Sequence, residues 1–411
     1  MTELDIEFVR SQFPAFNEPS LAGFAHFENA GGSFACAPVI ERLDRFYRQT
    51  KLQPYYVFEP SKTAGQLMDQ AKQRLAAWMG AAPSEISLGP STSQNTYVLA
   101  QAFRKHLQAG DEVVVTNQDH EANIGAWRRL ADEGMVVREW QIDPASAELT
   151  SEGLKSVLNE RTRAVAFTHC SNVVASINPV REWVDIIHAA GALALVDGVS
   201  FAPHALANMQ ELGVDAYFYS LYKVYGPHLG VMYLRDELNK ALPNQGHYFN
   251  ADKPNYRFTP AGADHAQVAA ANGVIDYLEA VYAHHFDKPA PPAEQARVVN
   301  QLFREQEARL LQTLLDYLDQ HPAVRLIGRR NAEQRASTVA FTASNKSSAE
   351  IGQALADRNF GVGVGDFYAR RLVEALGIDP ADGAVRLSFV HYTHPDEVQR
   401  LIKALDEVLA A

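Results

Sequence analysis

Between residues 85 and 234, short apolar runs alternate with amphipathic stretches of about a dozen residues. The runs at 85–88, 111–116, 135–142, 162–168, 192–197, 215–219 and 230–234 read as strands. The stretches at 96–107, after 121, at 151–158 and at 179–190 read as helices. Several of the strands are Val-rich, the kind buried on both faces. Strands joined by crossover helices predict an α/β fold with a mostly parallel sheet flanked by helices. The runs 215–219 and 230–234 read as a hairpin, which makes the sheet mixed. In such sheets ligands collect beyond the carboxyl ends of the strands. Ser93, His120, Asn172, Asp197 and Lys223 all stand at those ends or in the loops just after them.

Lys223 lies in Ser220-Leu221-Tyr222-Lys223-Val224-Tyr225-Gly226-Pro227-His228-Leu229-Gly230, between two apolar strands. A lysine buried there needs compensation. One use is an amine of lowered pKa that attacks an aldehyde. The aldehyde carried by such sites is pyridoxal phosphate, which also takes an acidic partner for its ring nitrogen. Asp197 ends an apolar strand 26 residues before the lysine (223 − 197). A snorkelling lysine and a turn aspartate are the simpler readings of each residue alone. The pair, in this order on two strand ends, favours the cofactor. Three hydroxyls, Ser91, Thr92 and Ser93, open a helix after Gly89-Pro90. They suit helix capping and equally a phosphate seat on free N–H groups. His120 is placed to lie over a flat ring, or is a polar loop residue. Gly31-Gly32 permits a sharp turn or a close approach to a ligand.

Outside this region, residues 4–12 read as a helix, 23–28 as a strand, and 38–50, 61–79 and 263–284 as helices. Pro289, Pro291 and Pro292 mark a hinge. A helix over 293–320 follows, then strands at 324–327, 338–342, 361–364 and 384–390 and helices at 348–359, 368–376 and 395–409. The expected organisation is a large domain over 20–285, a linker over 286–292, and a smaller α/β domain of 293–411 joined by residues 1–19. A chain of 411 residues can bury a large core. Its net charge of −12 argues against nucleic acid and anionic membranes as partners. Cys36 and Cys170 lie far apart, without metal-ligand spacing, and fit a reducing cytoplasm. No run approaches the ~20 apolar residues of a membrane span, and the acidic N-terminus is unlike a signal peptide.

The segments FENAGGS, GPSTSQNT, DHEANIGAW, THCSNVVASINPV, ALVDGVS, SLYKVYGPHLG and VRLSFVHYTHPDEV together resemble the class V branch of the fold-type I pyridoxal-phosphate enzymes. Within that branch the chain is most similar to the cysteine desulfurase-like group, over residues 20–409. The resemblance implies that Lys223 forms the Schiff base and later moves the substrate's Cα proton. Asp197 would pair with the ring nitrogen and His120 would stack on the ring. Thr92, Ser93 and Ser220 would hold the phosphate, with the Tyr222 hydroxyl in reach of it. Asn172 would sit near the ring's phenolic oxygen and the substrate carboxylate, with Ser200 near the same ring oxygen. Arg386 would clamp the carboxylate through a two-pronged hydrogen bond. Asn29, Ala30 and Gly31 would line the substrate side. Such enzymes work as homodimers in which a partner's Gly-rich turn reaches the phosphate. Here that turn is Thr259-Pro260-Ala261-Gly262-Ala263.

Three departures from the desulfurase pattern bear on function. Tyr222 stands where those enzymes commonly carry His, and Ser200 where they carry Gln. The run from Val362 to Ala369, where they carry a persulfide-forming cysteine, has none, and Tyr368 holds about that place. Attack on a substrate's sulfur needs a thiolate that can approach it. The expected activity is therefore a lyase of a small amino acid that breaks a Cβ–S bond by β-elimination. Transamination and epimerisation are open to the same residues. A non-catalytic, partner-binding scaffold is disfavoured by the intact Lys223, Asp197 and Arg386. Tyr55, Tyr56, Phe367, Tyr368 and Arg370 are further pocket candidates from aromatic-rich loops.

Overall fold

A computed structural model describes residues 3–410. Strand β1 (Ala25–Phe27) comes first. β2 (Ile86–Gly89), β3 (Glu112–Thr116), β4 (Val136–Trp140), β5 (Thr162–Thr168), β6 (Leu193–Asp197), β7 (Ala216–Ser220) and β8 (Gly230–Leu234) then build one sheet, in the order β2-β8-β7-β6-β5-β3-β4. From β7 through β6, β5 and β3 to β4 every pair is parallel. β8 runs antiparallel to β7 and to β2, so β7 and β8 form the expected hairpin. The inner parallel strands β3, β5, β6 and β7 are largely apolar on both faces because each face has its own core, while the edge strand β4 is partly exposed. Val113, Val115, Ala164, Ala166 and Phe218 pack on the helices Thr92–His106 and Glu121–Arg128. Their neighbours Val114, Val165, Phe167, Val196 and Tyr217 point the other way, into the main core. The period of two along a pleated strand thus divides one run of apolar residues between two layers of helices.

β9 (Val324–Ile327), β10 (Thr338–Ala343), β11 (Phe360–Gly365) and β12 (Ala384–Ser388) form a second sheet with β1, in the order β1-β11-β12-β10-β9. Its core includes Leu311, Leu314, Phe341, Ile351, Leu387 and Leu405. One strand crosses the expected division. β1 lies inside the segment expected to belong to the large domain, yet it pairs in parallel with β11 of the smaller sheet. Phe27 packs into that sheet's core, and three residues of strand gain more from that edge than from a solvated loop.

The helix Pro292–Gln320 joins the two parts. Its first turns, with Val299 and Phe303, pack in the main core, and its later turns, with Leu311, Leu314 and Leu318, pack under the smaller sheet. A second difference lies at 263–284, which reads as one helix in sequence. The structure has two, His265–Ala270 and Asn272–His285. The Asn272 side chain donates to the carbonyls of Ala269 (3.0 Å) and Leu67 (2.8 Å), competing with the backbone for a helix acceptor.

Candidate active site

The carboxyl ends of β7, β6, β5 and β3 lie side by side, and a pocket of about 200 Å³ opens above them. Lys223, Asp197, His120, Asn172, Thr92, Ser93, Ser200, Ser220 and Tyr222 all line it. The sequence placed these residues at separate strand ends, and the parallel pairing brings them together. The loop after β7 closes tightly on itself: Leu221 N–H donates to the Leu229 carbonyl (2.8 Å) and Gly226 N–H to the Leu221 carbonyl (2.9 Å). Ser33 braces the loop from outside, donating to the Tyr222 carbonyl (3.2 Å) and accepting from Tyr225 N–H (2.9 Å). Gly230, where β8 begins, lets the backbone of this hairpin press against Ser91 and Thr92; a Cβ there would collide with both. Lys223 and the first turn of the helix Thr92–His106 are thereby held against each other.

Burial sets the electrostatics. Lys223 is 7% exposed, and desolvation, reinforced by the Arg386 charge, lowers its amine to about 8. Burial raises Asp197 to about 6, opposed by the Val199 N–H (2.7 Å) and by Lys223. His120 is lowered to about 4, first by burial and then by Lys223 and Arg386. Its Nδ1 accepts from Ala122 N–H (3.0 Å), so a neutral ring carries its proton on Nε2. Behind it, burial raises Asp119 to about 7 while Thr116 and Asn123 donate to the carboxyl group.

At the anion end, the capping hydroxyl is Ser91, which accepts from Gln94 N–H (3.1 Å). That frees the next two hydroxyls. Thr92 Oγ1 bonds Ser220 Oγ (2.8 Å), and Ser93 is exposed at the pocket. A 15-residue helix therefore points its free N–H groups and partial positive charge at a cluster of hydroxyls. His228 also lines the pocket, its ring stacked on Tyr222 with centroids 4.7 Å apart. The sequence reading missed it, although it stands five residues after the lysine in the same segment.

Arg386 does not line this pocket; it sits beside it on β12, 4% exposed. Nη1 donates to the Asn172 carbonyl (3.2 Å) and Nη2 to Glu28 Oε1 (2.5 Å), and the Phe367 ring stacks on the guanidinium at 4.0 Å. The expected open clamp is thus held by Glu28, a residue inside FENAGGS that the sequence reading passed over. The Asn172 amide donates to the Phe367 carbonyl (2.9 Å), and its Oδ1 is buried without a partner among the described residues. Asn29 differs from expectation. Its side chain is spent on the carbonyls of His26 (2.9 Å) and Ser388 (3.2 Å) and on the Tyr392 hydroxyl, tying β1 to β12. Ala30 donates its N–H to Ser388 Oγ (2.8 Å), and neither it, Asn29 nor Gly31 lines the pocket.

Tyr368 sits over the site edge. Its ring faces His120 with centroids 5.4 Å apart, and its carbonyl accepts from Glu121 N–H (2.7 Å). Phe367 and Tyr368 hold left-handed backbones, φ 53° and 56°. The two cysteines lie elsewhere and are buried. Cys170 donates to the Ala175 carbonyl (3.3 Å), Cys36 to that of Gly273 (3.6 Å), and burial pushes both thiols up to about 12. Among the described residues no helix is long and apolar enough to cross a membrane, and no cluster of side chains could hold a metal ion.

The family described as "Aminotransferase class-V" matches residues 25–290 and 296–401. The chain belongs to this family. One family relative, the aminotransferase-like protein FGM3 of Gibberella zeae, is 34% identical over 99% of both chains. Another, the cysteine desulfurase-like protein ustD of Aspergillus flavus, is 32% identical over 99% of this chain and 91% of its own. The fold matches the apo structure of a cysteine desulfurase from Thermococcus onnurineus NA1 with a TM-score of 0.86. That match covers 100% of this chain and 99% of the other at 23% identity. The class-V chain is a pyridoxal-phosphate-dependent enzyme. The residues present suit that cofactor: a buried amine, a buried carboxylate at the pocket floor, hydroxyls at a helix N-terminus, and the unpartnered Asn172 Oδ1.

Proposed function

We propose that this enzyme breaks a Cβ–S bond of a small amino acid by β-elimination. The observation that carries the reading is the loop at Phe367 and Tyr368, which brings two aromatic rings and no thiol to the site while both cysteines are buried elsewhere. Elimination needs a base at Cα and no sulfur acceptor on the protein.

When bound, pyridoxal phosphate supplies an aldehyde for the Lys223 amine and a ring that accepts negative charge from the substrate's Cα. Thr92, Ser93, Ser220 and the helix N-terminus would hold its phosphate. Asp197 would present its carboxylate to the ring nitrogen, and His120 would offer its neutral ring to the cofactor face. Arg386 fixes the substrate's α-carboxylate and so aims the Cα–H bond at Lys223. Lys223 Nζ takes the Cα proton. The electron pair left on Cα forms a Cα=Cβ bond as the Cβ–S bond breaks, and sulfur leaves with the bonding pair and takes up a proton. Released 2-aminoacrylate reacts with water to give pyruvate and ammonia. Assays of pyruvate release from cysteine, cystine and S-substituted cysteines test this; no release from any of them overturns it. A second reading, transamination, draws on the 34% identity to a protein named aminotransferase-like. It would convert the bound cofactor to its amine form with an amino donor and release no free ammonia.

We also propose that the working unit is a homodimer, with the Gly262 turn of one protomer near the phosphate site of its partner. A groove of about 560 Å³ that includes Tyr55, Phe249 and Gly262 adjoins the exposed side chains of Tyr56, Val57, Phe58 and Tyr248. An apolar surface of this kind calls for a partner. Light scattering in solution that returns the monomer mass would overturn it.

A further inference from the structure

We propose that Glu28 is a carboxylate gate on Arg386, holding the guanidinium in the resting protein and swinging off it before a substrate carboxylate binds. This rests on the reading of Arg386 as the substrate clamp. The guanidinium is fixed on three sides: the Asn172 carbonyl on Nη1, the Phe367 ring on its face, and Glu28 Oε1 at 2.5 Å on Nη2. Only Glu28 brings a carboxylate, and it fills the edge that a substrate carboxylate would need.

The pair is unevenly held. The Arg386 side chain is 5% exposed and the Glu28 side chain 29%. Arginine is locked in place, while glutamate has an outlet to solvent. Among the described residues, Glu28 Oε2 is buried without a partner, and so is Arg386 Nε. The slot is also shaped for a carboxylate. A Cβ on Gly31 would come within 2.8 Å of Glu28 Oε1, and one on Gly363 within 2.8 Å of Oε2. Two glycines keep open the volume the carboxylate occupies. If the gate stands open about a tenth of the time, apparent affinity for carboxylate ligands falls about tenfold below the intrinsic value.

The test is calorimetric titration of propanoate, a bare carboxylate, into the purified holoenzyme and its variants. Glu28→Gln removes the competing charge and should tighten propanoate about tenfold. Gly31→Ala keeps the charge but crowds the carboxylate off its seat, and should tighten it in the same direction. Arg386→Gln should lose propanoate binding. If Arg386→Gln loses binding while neither Glu28→Gln nor Gly31→Ala tightens it, the gate is overturned and the clamp stands. If Arg386→Gln binds propanoate as the wild type does, the clamp fails and the gate with it. A purely structural ion pair would lower the melting temperature of Glu28→Gln without tightening any ligand.

Discussion

Ser33 holds Tyr225 in a left-handed backbone at φ 61°, accepting its N–H at 2.9 Å while donating to the Tyr222 carbonyl at 3.2 Å. Lys223 lies between the two tethered residues. A tyrosine in that conformation stores about 1–3 kcal/mol that its surroundings must offset. Tyr225 also donates its hydroxyl to the Pro203 carbonyl and meets His391 Nδ1 at 3.1 Å, so the strained residue is fixed at both ends. Ser33→Ala removes both side-chain tethers, keeps the backbone bond from residue 33 N–H to the Tyr222 carbonyl (3.1 Å), and should destabilise the protein by about 1–2 kcal/mol. It should also speed loss of bound cofactor on dialysis. Thermal denaturation and absorbance after dialysis check this; no change in either would mean that the loop supports itself.

The lowered Lys223 amine has a pH signature. With its value at about 8, the free-amine fraction rises about tenfold between pH 7 and pH 9. Cofactor-free protein should take up pyridoxal phosphate correspondingly faster at pH 9, followed by the visible band, and Lys223→Ala should show neither the band nor turnover. The stability of the cofactor-free protein should follow from the same shifts. Between about 8 and the ordinary lysine value the unfolded chain binds more protons at this site than the folded one, so Lys223 makes stability rise with pH there. Asp197, raised to about 6, acts oppositely: its contribution is present below the usual carboxylate value and is lost as pH rises through about 6.

The Lys–Asp pair and the doubly buried strands were legible because both depend on local pattern. Asp197 ends β6 and Lys223 follows the end of β7 by three residues; the partners of both strands are set by apolar periodicity, which is written in consecutive residues. What escaped depends on contacts far apart in the chain. Glu28 meets Arg386 across 358 residues, and nothing near either residue announces the other. β1 reads as an ordinary short strand, and its choice of sheet is decided by the free edge of β11. Asn272 breaks a helix because the Leu67 carbonyl, 205 residues away, gives its amide a second partner. His228 was hidden for a different reason: a histidine in a loop has no periodicity to betray its direction, and only its stacking on Tyr222 reveals the pocket side.

His120 has one role in the fold and a second that the proposed function gives it. Its imidazole caps the helix Glu121–Arg128 through Nδ1, and its flat face is available to the cofactor ring. His120→Phe keeps the face and loses the cap; His120→Ala loses both. Each should lower stability by about 1 kcal/mol through the cap. Only the alanine variant should also weaken cofactor binding, by about 1 kcal/mol or roughly fivefold in Kd. Melting temperature and equilibrium cofactor titration separate the two losses. Equal affinities in the two variants would remove the stacking role.

The buried cysteines give the sharpest distinction between elimination and persulfide chemistry. A thiol held up at about 12 is almost wholly protonated at neutral pH, and the thiolate is the nucleophile. Cys170 and Cys36 each donate to a backbone carbonyl in the core, so neither can swing toward the substrate without breaking its packing. A Cys36→Ala/Cys170→Ala double variant should be somewhat less stable, through two small cavities. It should still release pyruvate from a cysteine substrate at the wild-type rate. Loss of turnover with the melting temperature preserved would instead make one of these thiols the sulfur acceptor, and the elimination reading would have to be withdrawn.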